Sequence, residues 1–174
     1  ADLGQTCFGE NYLQEAIEKI QALKDLDLEW HFIGPIQSNK TRDIAALFDW
    51  AQSVDRLKIA KRLHQQRPED LPPLNICIQI NIDNEDTKSG IVEQDIMPLA
   101  NAIQELDRLK LRGLMIIPAR QQNEAAQVDT FKRALALYQS LQAKFDDIDT
   151  LSMGMTADMN LAIREGSTMV RIGT

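Results

Sequence analysis

Apolar runs bounded by turn residues alternate along this chain with segments whose apolar positions recur at helical spacing. Cys7-Phe8 reads as a short strand, and Tyr12, Leu13, Ala16, Ile17, Ile20 and Leu23 share one face of the helix that follows. Residues 30–34 (WHFIG) form the next strand, ahead of a helix carrying Ile44, Leu47 and Phe48. Residues 49–54 lead to Asp55, a good N-cap type, and to a basic helix. There Lys58, Lys61, Arg62 and Arg67 alternate with Leu57, Ile59, Ala60 and Leu63, which predicts a solvated basic face over a buried apolar one. The clearest strand is 74–82 (LNICIQINI), with isoleucine at 76, 78, 80 and 82. A helix over about 93–107 has Pro98 early, where a first turn tolerates it. Residues 112–117 form a strand ended by Pro118, and 123–145 the longest helix. A strand at 150–154, a short helix closed by Gly166 and a last strand at 168–172 complete the pattern.

Seven strands with six intervening helices in strict alternation imply a parallel sheet with right-handed crossovers. That count suits a doubly wound sheet or an incomplete (β/α)8 barrel. Two unpaired parallel edges are a liability. The expected fold class is therefore α/β, a TIM-type (β/α)8 barrel in one domain over 1–174, with the first βα unit absent from this sequence.

Charge removes one class of function. A formal net charge of −7 over 174 residues argues against a nucleic-acid partner, which calls for a basic face. No apolar run reaches the roughly 18–20 residues of a membrane helix, and no signal peptide opens the sequence. Cys7 and Cys77 have no metal-site or redox spacing, so no metal is expected and a reducing cytoplasmic location is.

In barrels of this class chemistry gathers where strands end and loops begin. Those positions hold Gly9, Glu10 and Asn11, then Gly34, Gln37, Asn39 and Lys40, and finally Ser152-Met153-Gly154-Met155-Thr156 and Arg171-Ile172-Gly173-Thr174. The last two groups are small and hydroxyl-bearing, the types that let backbone N–H groups close on a phosphate. The same residues also read as ordinary loop glycines, with Thr156 capping the helix that carries Asp158.

FGENYLQEA, WHFIGPIQSNK, QINIDNEDTKSG, LRGLMIIP, LSMGMTADM and STMVRIGT occur in this order and together span nearly the whole chain. This set closely resembles the pyridoxal phosphate homeostasis proteins, a family similar in fold to the N-terminal barrel of bacterial alanine racemase. The resemblance implies a barrel holding pyridoxal 5′-phosphate (PLP) in its mouth, with a role in vitamin B6 homeostasis and no established catalytic reaction. It implies that Ser152, Gly154, Thr156, Gly173 and Thr174 surround the phosphate, that Arg171 faces the pyridine nitrogen and that Asn11 lines the cofactor side. A guanidinium there keeps the pyridine nitrogen unprotonated, making the ring a poorer electron sink, which suits a holder of the cofactor. The family's Schiff-base lysine is expected upstream of Ala1. Lys40 and Lys88 are read as solvated, and His31 as a structural histidine bonded to a neighbouring strand or helix. Expected partners are PLP itself and PLP-dependent apo-enzymes, with the protein a monomer. The alternatives are a PLP-dependent racemase-like enzyme of the same barrel type and a sugar-phosphate enzyme using Glu10 with Asp149.

Overall fold

The computed structural model describes residues 3–84, 89–119 and 123–173. Among them are β1 (Cys7–Glu10), α1 (Leu13–Ala22), β2 (Glu29–Phe32), α2 (Thr41–Leu47), β3 (Trp50–Val54), α3 (Leu57–Gln66) and β4 (Leu74–Ile80). A 3-10 turn (Glu93–Asp95) then leads into α4 (Ile96–Gln104), β5 (Leu109–Ile116), α5 (Glu124–Gln142), β6 (Thr150–Met155), α6 (Met159–Arg164) and β7 (Met169–Arg171). Every strand is parallel to the next, in the order β1 to β7.

The sheet curls into a nearly closed barrel. Gln52 on β3 lies three strands from Ser152 on β6, yet their side chains bond at 2.6 Å, which only a sheet folded back on itself allows. Alternation along each strand then sorts the side chains. Phe32, Ile76, Ile78 and Leu114 face outward into the main core with Ile44, Ile59, Leu63 and Phe131 from the helices. Trp50, Cys77, Met115 and Met169 make a small separate cluster inside the barrel. β1 and β7 are the edge strands, and among the described residues no ladder joins them.

Two local expectations change. Asp55 does not cap α3: Arg56 holds the N-cap position without a side-chain cap bond, and Asp55 instead pairs with the Arg56 guanidinium at 2.7 Å. Arg67 is not part of the solvated face. It is buried, and its guanidinium donates to the carbonyls of Ala45, Phe48 and Pro72 at 2.7–2.8 Å. Ala45 lies in the last turn of α2, Phe48 just after it and Pro72 in the loop before β4, where no helical N–H reaches their carbonyls.

Candidate functional site

The inward positions of β2, β3, β6 and β7 place His31, Gln52, Ser152 and Arg171 in one hydrogen-bonded line through the barrel. Arg171 Nη1 donates to Ser152 Oγ at 2.6 Å, and Ser152 Oγ donates to Gln52 Oε1 at 2.6 Å. Gln52 Nε2 faces His31 Nδ1 at 2.9 Å, and His31 Nε2 faces Glu29 Oε1 at 2.8 Å. Donor and acceptor chemistry fixes one direction for the whole line. A guanidinium only donates, so Ser152 must accept there and donate to the amide oxygen. The amide nitrogen then donates to Nδ1, which leaves the Nε2 proton for the carboxylate. A cation stands at one end and an anion at the other, an arrangement in which successive bonds polarise one another.

The electrostatics fit this sense. Burial holds His31 below its ordinary pKa, outweighing the Glu29 hydrogen bond, so the ring is neutral at pH 7. Partial burial pushes the Glu29 carboxyl up, but the interactions with His31, Cys7 and Trp50 together outweigh it and hold the group below its usual value. Burial lowers Arg171 to about 10, which still leaves it cationic at neutral pH. Arg171 Nη2 also donates to Ile116 O at 2.8 Å. Two of its five N–H donors are thus anchored, with others free for a ligand.

The sequence-derived residues fall into groups. Ser152 and Arg171 are joined directly, but the Ser152 hydroxyl is fully buried and engaged with Gln52 and Arg171 inside the barrel. Thr156 and Gly173 are joined to each other: Thr156 Oγ1 donates to Gly173 O at 3.0 Å and accepts from Gly173 N at 3.2 Å. This pair ties the loop after β6 to the end of β7. Gly154 lies in β6 with φ +96°, and a side chain there would overlap the Ala162 methyl of α6. The loop can therefore lie close on its helix only with glycine at this position. Asn11 is exposed in the turn after β1, and its backbone packs against Gly34 so closely that Gly34 has no room for a Cβ. Thr174 and Lys88 lie outside the described residues. Lys40 is half-buried at the N-cap of α2.

His31 is bonded to the neighbouring strand and stacked on Trp50, ring centroids 5.0 Å apart and planes 14° from parallel. Asp149 pairs with Arg112, not with Arg171 or Glu10; the Arg112 guanidinium grips it at 2.5–3.2 Å. Glu10 pairs with Lys19 on α1, so it and Asp149 do not form an acid–base pair. Sequence reasoning passed over Gln52, which lies in a five-residue strand that is buried throughout. A polar residue in a fully buried strand was the available signal.

A cavity of about 590 Å³ opens between β1 and β7, lined by Cys7, Gly9, His31, Gln52, Met169 and Arg171 among others. A larger one of about 700 Å³ is lined by the loop after β6, Thr156 included, and by Asn123, Gln127 and Met159; it reaches neither Arg171 nor Ser152, so Thr156 and Arg171 border different cavities. Of the two, it is the smaller cavity that the cation and the polar line holding it face.

This nearly closed parallel barrel is of the class of the alanine racemase N-terminal domain, whose family model matches residues 1–174. Within that class the chain is 56% identical over 175 residues to the pyridoxal phosphate homeostasis protein of Haemophilus influenzae, covering 98% of this chain and 74% of the relative. The Escherichia coli K12 protein of the same name is 52% identical over 176 residues, covering 99% and 75%. This chain belongs to the pyridoxal phosphate homeostasis protein family. Among solved structures, PipY of Synechococcus elongatus PCC7942 with PLP bound superposes with a TM-score of 0.88 at 36% identity, over 98% of this chain and 80% of that one.

Proposed function

We propose that this chain binds pyridoxal 5′-phosphate in the mouth beside Arg171 and serves the supply of that cofactor without turning over a substrate of its own. The observation that carries the reading is the Arg171 guanidinium, anchored by Ser152 and Ile116 and facing the cavity between β1 and β7. Its free N–H groups suit a pyridine nitrogen, a pure acceptor. Thr156 and Gly173, whose hydroxyl and amide bond each other, would hold the phosphate with Gly154 and Thr174. Ser152 would act through Arg171, and Asn11 would close the opposite side. The cofactor supplies an electrophilic aldehyde and a conjugated ring; the permanent charge of Arg171 opposes protonation of that ring and so its use as a strong electron sink.

Further parts of the reading are a monomeric state, a cytoplasmic location and delivery of PLP to apo-enzymes. Titration with PLP, followed by absorbance and by quenching of Trp50 and Trp30 fluorescence, tests the binding. Saturation at one equivalent, with weaker binding of pyridoxal lacking the phosphate, is expected. No saturable binding overturns the proposal, and sustained α-hydrogen exchange of alanine or serine in deuterated water at enzyme-like rates would replace it with the racemase reading.

A further inference from the structure

The opposite end of the polar line carries a second cluster. Strand register sets Cys7 on β1 directly beside Glu29 on β2, and alternation turns His31, two residues further, to the same face. Cys7 Sγ lies 3.4 Å from Glu29 Oε1, and His31 Nε2 lies 2.8 Å from the same oxygen. One sulfur, one nitrogen and one oxygen donor thus fall within 4.8 Å of one another. We propose that Cys7, Glu29 and His31 form a zinc-binding site toward the N-terminal end of the barrel, at the end of the polar line opposite Arg171; Cys7 and His31 also border the cavity that Arg171 faces.

Geometry, surroundings and donor chemistry agree. Zinc bonds to these donor types measure about 2.0–2.3 Å, which puts ligand atoms of a tetrahedral site roughly 3.4–3.6 Å apart. The cluster reaches that spacing by sub-ångström to ångström adjustments of Cys7, which is exposed, and Glu29, which is half-buried. A thiolate with an imidazole and a carboxylate selects zinc over magnesium or calcium, which want oxygen alone. A groove of about 350 Å³, lined by Cys7, Glu29, Asp27 and Asp49 among others, opens the Cys7 and Glu29 side of the cluster to solvent, while His31 faces the cavity between β1 and β7. The groove gives the ion an entry path and leaves its fourth position to water. Burial, Glu29 and Asp49 hold the Cys7 thiol above its ordinary pKa; the acidic surroundings that disfavour a bare thiolate favour a dication beside it. The His31 ring is already oriented, by its stack on Trp50 and by the Gln52 amide at Nδ1, as metal-bound histidines usually are by a partner at the other nitrogen.

Binding balances simply. A Zn–S bond forms as the Cys7 S–H proton leaves to solvent. His31 stays neutral but carries its proton on Nδ1, so the Gln52 amide turns to accept it through Oε1; the amide Nε2 then donates to Ser152 Oγ, which accepts from both Gln52 and Arg171 and turns its own proton away from the amide. One proton is released per ion near neutral pH. The cluster is assembled across neighbouring strands, so no Cys/His spacing along the sequence announces it.

The test uses the whole 174-residue chain, kept reduced with a non-thiol reductant. Zn2+ is titrated against a chromophoric chelator, and Co2+ serves as an absorbing substitute. One equivalent, a sulfur-to-cobalt charge-transfer band and tetrahedral cobalt bands are expected. Cys7→Ser should abolish the charge-transfer band and weaken zinc at least tenfold, with an unchanged circular dichroism spectrum because Cys7 is exposed; Glu29→Gln should weaken zinc while keeping the band. Absence of stoichiometric binding overturns the proposal. So does a band or affinity that survives Cys7→Ser, which would place the metal elsewhere. None of these readouts involves PLP, so the site stands or falls apart from the cofactor reading.

Discussion

Replacing Ser152 with alanine cuts the polar line at its centre, and its cost follows from the bonds removed. The Ser152 hydroxyl is fully buried, accepts from the Arg171 guanidinium at 2.6 Å and donates to the Gln52 amide oxygen at 2.6 Å. A hydrogen bond to a charged group contributes about 1.5–3 kcal/mol, and an orphaned buried acceptor costs about 1–3 kcal/mol. Arg171 keeps its bond to Ile116 O and can turn toward water in the cavity, so part of the first loss is recovered. We expect Ser152→Ala to destabilise the fold by about 3 kcal/mol, a fall of roughly 6–12 °C in Tm for a chain of this size. Urea unfolding followed by circular dichroism measures it. Gln52→Ala and the double variant complete a cycle, and residues that share a bond should fail to add by about 1 kcal/mol or more. PLP affinity should fall as well, since Arg171 loses its anchor. A loss below about 1 kcal/mol together with additivity would refute the claim that this line is a connected unit.

Other outcomes follow from the same structure. Gly154→Ala must hold a left-handed φ and overlap the Ala162 methyl, so we expect a loss of about 3 kcal/mol, read from chemical denaturation. Arg67→Met strands the buried carbonyls of Ala45 and Phe48 together with that of Pro72, and should cost about 3 kcal/mol by the same measurement. The folded pKa of His31 lies below its ordinary 6.5, so the unfolded chain takes up the proton first and stability contributed by the neutral ring is lost as pH falls below about 6.5. Glu29, also lowered from an ordinary 4.5, adds a second loss as pH falls further. His31→Gln should flatten the pH dependence of unfolding between these values; an unchanged slope would count against the buried neutral histidine.

Most of the architecture was legible because it depends on short-range patterns. Isoleucine at every second position of 74–82 and the helical spacing of Leu13, Ala16 and Ile17 are local signals, and parallel alternation then leaves few topologies. The misreadings arose where a local rule met a tertiary competitor. Asp55 has the chemistry of an N-cap, but the neighbouring Arg56 guanidinium takes its carboxylate. Arg67 continues the basic spacing of α3, yet it follows the end of that helix, where open carbonyls of α2 and the adjoining loop are close enough to take its N–H groups.

The site shows the same division more sharply. Type and position at strand ends singled out Ser152, Gly154, Thr156, Arg171 and Gly173, and the structure pairs Ser152 with Arg171 and Thr156 with Gly173. What no strand-end rule supplies is the partner that decides what Ser152 does. Gln52 is one hundred residues away in sequence and meets Ser152 only because the barrel curls back on itself. Once they meet, donor counting fixes the direction of every bond from Arg171 to Glu29, with the Ser152 hydroxyl held between the guanidinium and the amide. The hydrogen bonding of Ser152 thus follows from closure of the barrel, and its sequence neighbours could indicate only that it was polar, small and well placed.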